Sequence, residues 1–188
     1  VADLADISRA REQLLECDYV FHLGGNANFG DEADYDDVNY EPTRVIVEIL
    51  KASRVLKCMV FTSTIGAVDR APSDRCHDPL TVESPPFPRS CYGESKLKAE
   101  RCIQVSGIPS CIIRPTWVYG SGMRTASHIS RFVSMVFARH PVTKVNFSGR
   151  VSLIHVNDLA LALVRCIGNQ EAVGRVFFAE TESLSLGA

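Results

Sequence analysis

The segment Ser90-Cys-Tyr-Gly-Glu-Ser-Lys-Leu-Lys-Ala-Glu100 carries the residue types best suited to chemistry. Tyr92 and Lys96 stand four residues apart, so a helix here sets a phenol and an ammonium on one face, one turn apart. A lone phenol titrates near ~10, too high to move protons readily at neutral pH. A neighbouring positive charge favours the phenolate and brings the group toward the working range of a general acid or base. An exposed helix with a solvated lysine has the same spacing, so the surroundings must decide.

Those surroundings are the strand ends. Val55–Thr62 reads as a buried strand running into Thr62-Ser63-Thr64. Open α/β sheets place their ligands beyond the C-terminal ends of such strands. Asp18–Gly25 reads as a second buried strand, ended by Gly24-Gly25, a pair that serves either a close ligand approach or a plain turn. Gly107–Pro115 is a third, stopped by Pro115 and followed by a turn over Trp117–Gly122. Short strands are expected at Lys144–Phe147, Ser152–His155 and Arg175–Phe178. Helical spacing covers Ile7–Cys17, Val38–Ser53, Tyr92 to about Val105, Ser127–Ala138, and Leu159–Ile167 with Asn157-Asp158 as its cap. Strands alternating with helices at this pitch imply an α/β fold with a doubly wound parallel sheet. Asp69–Arg89 holds five of the nine prolines and no periodicity, as an active-site loop or a disordered segment does.

Bulk properties exclude several functions. The 188 residues suit one domain, with 46% hydrophobic and 22% charged residues. A net charge of −2 and the lack of long basic runs argue against nucleic acid or an anionic membrane as the main partner. No apolar run reaches the ~20 residues of a membrane span, and no signal peptide is read. Seven scattered cysteines without a C-x-x-C pair read as reduced, mostly buried thiols, with neither a disulfide frame nor a metal site, and point to the cytoplasm. Cys91, beside Tyr92, is the candidate for a reactive thiol. The acidic cluster Asp31, Glu32, Asp34, Asp36 and Asp37 lacks the glycine and distal glutamate of a calcium loop and reads as solvated.

Seven stretches in order then resemble the extended branch of the short-chain dehydrogenase/reductase superfamily: Ala2–Asp6, Asp18–Gly25, Val38-Asn39 with Thr43, Phe61–Thr64, Tyr92-x-x-x-Lys96, Arg114–Gly120 and Ile154–Ala160. That group includes nucleotide-sugar epimerases and dehydratases, 3β-hydroxysteroid dehydrogenases and dihydroflavonol reductases. The resemblance implies a Rossmann-like fold, NAD or NADP as cofactor, and a small-molecule substrate. It also implies a homodimer through the helices after Val38 and Tyr92. Tyr92 would be the acid/base and Lys96 its partner at the nicotinamide ribose, with Thr64, or Ser63 one place earlier, orienting the substrate oxygen. Asp3 and Leu4 would lie at the adenine, and His22, Leu23, Gly24, Gly25, Asn39 and Thr62 along the cofactor groove. Arg114, Pro115 and Thr116 would border the nicotinamide. His155 and Asp158 fall in a family stretch but read as structural.

The departures matter too. The family's glycine-rich fingerprint is missing, and the clustered glycines at 24, 25 and 30 have the wrong spacing for it. The expectation is an N-terminally truncated fragment: a partial NAD(P)-binding domain over 1–188, with the beginning of a substrate-binding lobe at about 120–188. Sugar-nucleotide members often carry an arginine where Val151 stands here, with Arg150 one place off. That favours a dehydrogenase or reductase for a steroid-like or flavonoid-like alcohol or ketone. A nucleotide-sugar epimerase or dehydratase is the alternative, and a non-catalytic dinucleotide-fold scaffold the third reading.

Overall fold

Short runs of β-branched and aromatic residues build the first sheet. In the computed structural model, residues 4–27, 35–70, 79–123, 128–138 and 150–185 are described. Strands β1 (Tyr19–His22), β2 (Cys58–Thr62) and β3 (Ser110–Pro115) pair in parallel, from Tyr19 opposite Cys58 to His22 opposite Phe61, and from Met59 opposite Ser110 to Thr62 opposite Ile113. β6 (Val176–Ala179) adds to β3, where Ile112 N donates to Arg175 O at 3.0 Å.

Directly paired residues of parallel strands share a face, and alternate residues along a strand return to it. One face therefore carries Val20 and His22, Met59 and Phe61, and Ile112. Two helices cover it, α2 (Glu41–Leu50) and α3 (Cys91–Ser106). Ile46, Val47 and Leu50 of α2 and Ala99 and Ile103 of α3 complete a core with Val20, Met59, Phe61 and Ile112. Each such side chain, fully buried, contributes about 1.5–3 kcal/mol except the alanine. On the opposite face Cys58 and Cys111 are buried, and Cys111 Sγ lies 3.6 Å from Cys166 Sγ.

The chain divides into two compact units, Val1–Arg114 with Leu163–Phe178, and Pro115–Ala162 with Ala179–Ala188. The second contains α4 (His128–Phe137), most of α5 (Val156–Val164) and a three-stranded sheet. In that sheet β4 (Trp117–Tyr119) runs parallel to β5 (Arg150–His155), and β7 (Glu182–Ser185) antiparallel to it.

Several elements differ from expectation. Ile7–Cys17 is not one helix: a 3₁₀ segment over Leu4–Ala10, broken at Asp6, precedes a short α1 (Arg11–Leu15). The helix expected from Val38 starts as a widened π turn over Asp36–Tyr40. Pro42 has no N–H to return to the carbonyl four residues back, so the α bond that would link this turn to α2 is missing there. Trp117–Tyr119, expected as turn, is a strand because β5 supplies its partners; the turn is confined to Gly120–Gly122, with φ of 132° and 81° at its two glycines. α5 begins at Val156 instead of Leu159, which puts Asp158 in its first turn. β7 was not anticipated, because Glu-Ser-Leu-Ser has little strand character until β5 pairs with it. The expected strand at Lys144–Phe147 lies outside the described residues.

Candidate active site

The site begins with how α3 starts. Ser90 Oγ accepts Gly93 N–H at 3.0 Å, an N-cap, and Gly107 with φ of 75° ends the helix. Gly93 is there for proximity: a Cβ on it would run into the carbonyl oxygen of Gly66. Only a bare backbone lets the first turn of α3 approach the 3₁₀ turn Ile65–Val68 that follows β2.

That approach joins Tyr92 to Thr64. The Thr64 hydroxyl accepts Gly66 N–H at 3.2 Å and is hydrogen-bonded to the Tyr92 phenol. Tyr35, itself buried, meets the Tyr92 ring edge-on with centroids 6.1 Å apart. Ser63, the alternative to Thr64, is buried, and its Oγ has no hydrogen-bond partner among the described residues.

Lys96 is 4% exposed, and its ammonium donates to the Thr62 carbonyl at 3.1 Å and sits 4.9 Å from the centroid of Phe61. Burial pushes its pKa down to about 8, with the Glu100 carboxylate opposing. The expected acidification of the phenol is not what this arrangement produces. Burial raises the Tyr92 pKa above its ordinary value, the Thr64 bond pulls the other way, and Tyr35 adds to the rise. The lysine points its charge at a backbone carbonyl, and a buried phenol resists becoming an anion. At neutral pH Tyr92 is therefore a proton donor.

A polar clamp ties the loop after β1 to α3. Asn39, 1% exposed within the π turn, accepts Asn26 N–H on Oδ1 at 2.7 Å. Its Nδ2 donates to Asn26 O and to Ser95 Oγ, both at 3.1 Å, and Ser95 Oγ donates to Tyr92 O at 2.8 Å. Thr43 Oγ1 donates to Asn39 O at 2.7 Å and lies 2.8 Å from His22 Nε2. The threonine has one proton and has already given it, so His22 must donate from Nε2. Burial, then the nearby Lys96 charge, lowers the His22 pKa to about 4.

Gly25 has a φ of 152°, and a Cβ on it would fall 2.7 Å from Asn39 Oδ1 and 3.2 Å from Lys96 Nζ. Bare backbone beside a buried ammonium and a string of hydroxyls fits the ribose and nicotinamide end of a dinucleotide. His22, Gly25, Asn39, Thr62, Thr64, Tyr92 and Lys96 are thus brought together. A Cβ on Gly24 would meet the Leu4 side chain, while Leu23 is exposed.

Arg114 is turned inward: Nε donates to Glu100 Oε1 at 2.9 Å and Nη2 to Oε2 at 2.6 Å. Pro115 and Thr116 belong to the second unit, where Thr116 Oγ1 donates to Ala179 O at 3.3 Å. Asp3 lies outside the described residues, as do Asp31, Glu32 and Asp34 of the acidic cluster. Among the described residues no group of His, Cys, Asp and Glu is arranged to hold a metal ion, and no helix is long and apolar enough to cross a membrane. Sequence reasoning did not single out Ser95, Tyr35 or Glu100. Glu100 had a readable signal, since it follows Lys96 by four residues.

Comparison with known proteins gives the family and the fold. A sequence model described as the NAD dependent epimerase/dehydratase family matches residues 1–178. UDP-glucose 4-epimerase of Vibrio cholerae is 29% identical over 157 residues, which cover 76% of this chain and 47% of that protein. Anthocyanidin reductase of Arabidopsis thaliana is 24% identical over 198 residues, covering 93% of this chain and 58% of that one. The crystal structure of UDP-glucuronic acid 4-epimerase from Bacillus cereus in complex with NAD superposes with a TM-score of 0.82 at 21% identity, over 98% of this chain and 61% of that one. The fold is thus Rossmann-like, and the chain spans about half the length of the curated relatives it matches.

Proposed function

The chain belongs to the NAD-dependent epimerase/dehydratase family, and from that premise we propose that it is the core of an NAD(P)-dependent oxidoreductase acting on a secondary alcohol or ketone. The observation that carries this reading is the hydrogen bond between Thr64 and Tyr92, one helical turn from the buried Lys96 ammonium. Bound nicotinamide supplies the hydride donor or acceptor. His22, Gly24, Gly25, Asn39 and Thr62 would line its groove, with Lys96 at the ribose. In the reducing direction Tyr92 gives its proton to the carbonyl oxygen while Thr64 holds that oxygen in line. The raised phenol pKa suits this acid role.

The substrate we favour is a small apolar alcohol or ketone, steroid-like or flavonoid-like. Val151 stands where sugar-nucleotide members often carry arginine, and the anthocyanidin reductase relative aligns over 93% of the chain. The second unit, from Pro115, would begin the substrate-binding lobe. A nucleotide-sugar epimerase is the second reading, supported by Arg150. Its guanidinium lies on the exposed start of β5, donating to Ser183 O at 2.7 Å.

The test is turnover with a panel of ketones, steroids, flavonoids and UDP-sugars, comparing Tyr92→Phe with the unaltered protein. Loss of a general acid predicts a fall of about 10²–10⁴-fold in kcat with the fold preserved. Undiminished turnover in Tyr92→Phe removes the proposal. Net oxidation of NAD(P)H supports the reductase, and product formation without net cofactor change supports the epimerase.

A further inference from the structure

Three charged side chains are buried side by side beneath the site: Lys96, Glu100 and Arg114 are 4%, 0% and 6% exposed. Lys96 and Glu100 are one turn apart on α3, so their side chains lie on the same face. Arg114 follows Ile113 on β3, and the Ser63 N–H opposite it donates to Ile113 O at 2.7 Å. The arginine therefore rises from the strand next to the Thr62–Thr64 segment and on the face that α3 covers. Its fork grips both carboxylate oxygens of Glu100, and the guanidinium carbon lies 5.8 Å from the Phe178 ring centroid.

We propose that Glu100 and Arg114 are positioning residues for Lys96: the Glu100 carboxylate holds the buried lysine in its ammonium form at the site, and the Arg114 fork holds the carboxylate. The catalytic consequence rests on the function proposed above, but the electrostatic role does not.

Ion-pair geometry supports a purpose beyond bracing. A buried pair is often no more stabilising than apolar residues of the same size, so its presence one helical turn from a buried lysine points to charge control. The charges facing Lys96 are few. On β1, His22 is neutral for the reasons given above. On α3, Tyr92 is a protonated phenol one turn earlier, and Lys98 pairs instead with Asp36 at 2.5 Å. The 3₁₀ turn Ile65–Val68 carries no charge. On α2, Arg44 bonds Glu41 and Lys51 bonds Glu48, all of them exposed and acting on Cys102. Among the described residues Glu100 is thus the anion acting on Lys96, and it opposes the fall toward about 8 that burial causes.

The experiment is a pH titration of the lysine 13Cε resonances in the whole protein. The chain has five lysines, so Lys96→Arg assigns the signal. In the unaltered protein Lys96 should titrate near 8. In Glu100→Gln its midpoint should drop by roughly one unit, about a tenfold loss of proton affinity. Arg114 left buried and unpaired could unfold that variant, so Glu100→Gln/Arg114→Met is measured too. It removes both charges and leaves a side chain of similar length, and it should show the same downward shift. A Lys96 midpoint unmoved in the folded variants means the pair is only a structural brace and overturns the proposal. Should the midpoint move in a protein that turns over no alcohol, ketone or sugar nucleotide, the function proposed above fails and this electrostatic role stands. Where turnover exists, the alkaline limb of kcat/KM should shift with the resonance.

Discussion

Two tyrosines, one in each unit, are both harder to ionise than a free phenol, for opposite reasons. Tyr92 is raised mainly by burial. Tyr119 is raised mainly because its hydroxyl donates to Glu182 Oε1 at 2.9 Å, with His155 edge-on at 5.1 Å. Around Tyr92 the polar groups are desolvated and interlocked: His22, Asn39, Thr43, Ser95, Lys96, Glu100 and Arg114 are all buried. Around Tyr119 the polar bonds are largely exposed, among them Thr181 Oγ1 to Asp158 Oδ2 at 2.6 Å and Arg150 Nε to Ser183 Oγ at 3.2 Å. A polar group in water loses little when its partner goes, whereas a buried one loses its only solvation. The first region should therefore respond sharply to single changes and the second hardly at all.

The strongest test of that contrast is Arg114→Met, which strands the Glu100 carboxylate at 0% exposure. It should lower stability by about 3–5 kcal/mol in denaturant melts. Lys98→Met breaks a pair at 42% and 37% exposure on the same helix and should change stability by about 0–1 kcal/mol. Equal effects would mean that burial is not what makes the first region sensitive.

Next comes acid. His22 is neutral when folded, with a pKa of about 4 against the ordinary histidine value of 6.5. Above 6.5 neither state binds this proton. As the pH falls from 6.5 toward 4 the unfolded chain takes it up first, so stability declines, by about 3 kcal/mol in all, and levels off below 4. His22→Gln, compared by melts across that range, should flatten this part of the profile. An unchanged slope would mean that His22 is not buried in neutral form.

A smaller effect is expected from Gly93→Ala. The added methyl meets the Gly66 carbonyl, so α3 must back away and Tyr92 must draw off from Thr64. Misplacing an acid by about an ångström lowers kcat by roughly 10²-fold, with a modest loss of stability. The least effect belongs to Tyr119→Phe, which should leave turnover and melting unaltered; a loss of activity there would make the second region more than scaffold.

Much of this was legible beforehand because it depends on local physics. Apolar runs ended by hydroxyls, glycines or proline announced β1, β2 and β3. Four-residue spacing put Tyr92 and Lys96 on one helical face whatever the rest of the chain did. β4, β7 and the π turn were illegible, since each depends on a partner or a missing N–H elsewhere: Leu153 for Trp117, Ser152 for Ser183, Pro42 for the turn ahead of it.

The amino-acid order by itself determined which groups could do chemistry and that the strand ends would carry them, because periodicity and turn residues act over a few positions. Only the tertiary structure brings Thr64, and not its neighbour Ser63, to the Tyr92 phenol, through the close approach that Gly93 permits. It also reversed the expected shift of the phenol, since desolvation depends on everything packed around a group and no spacing rule contains it.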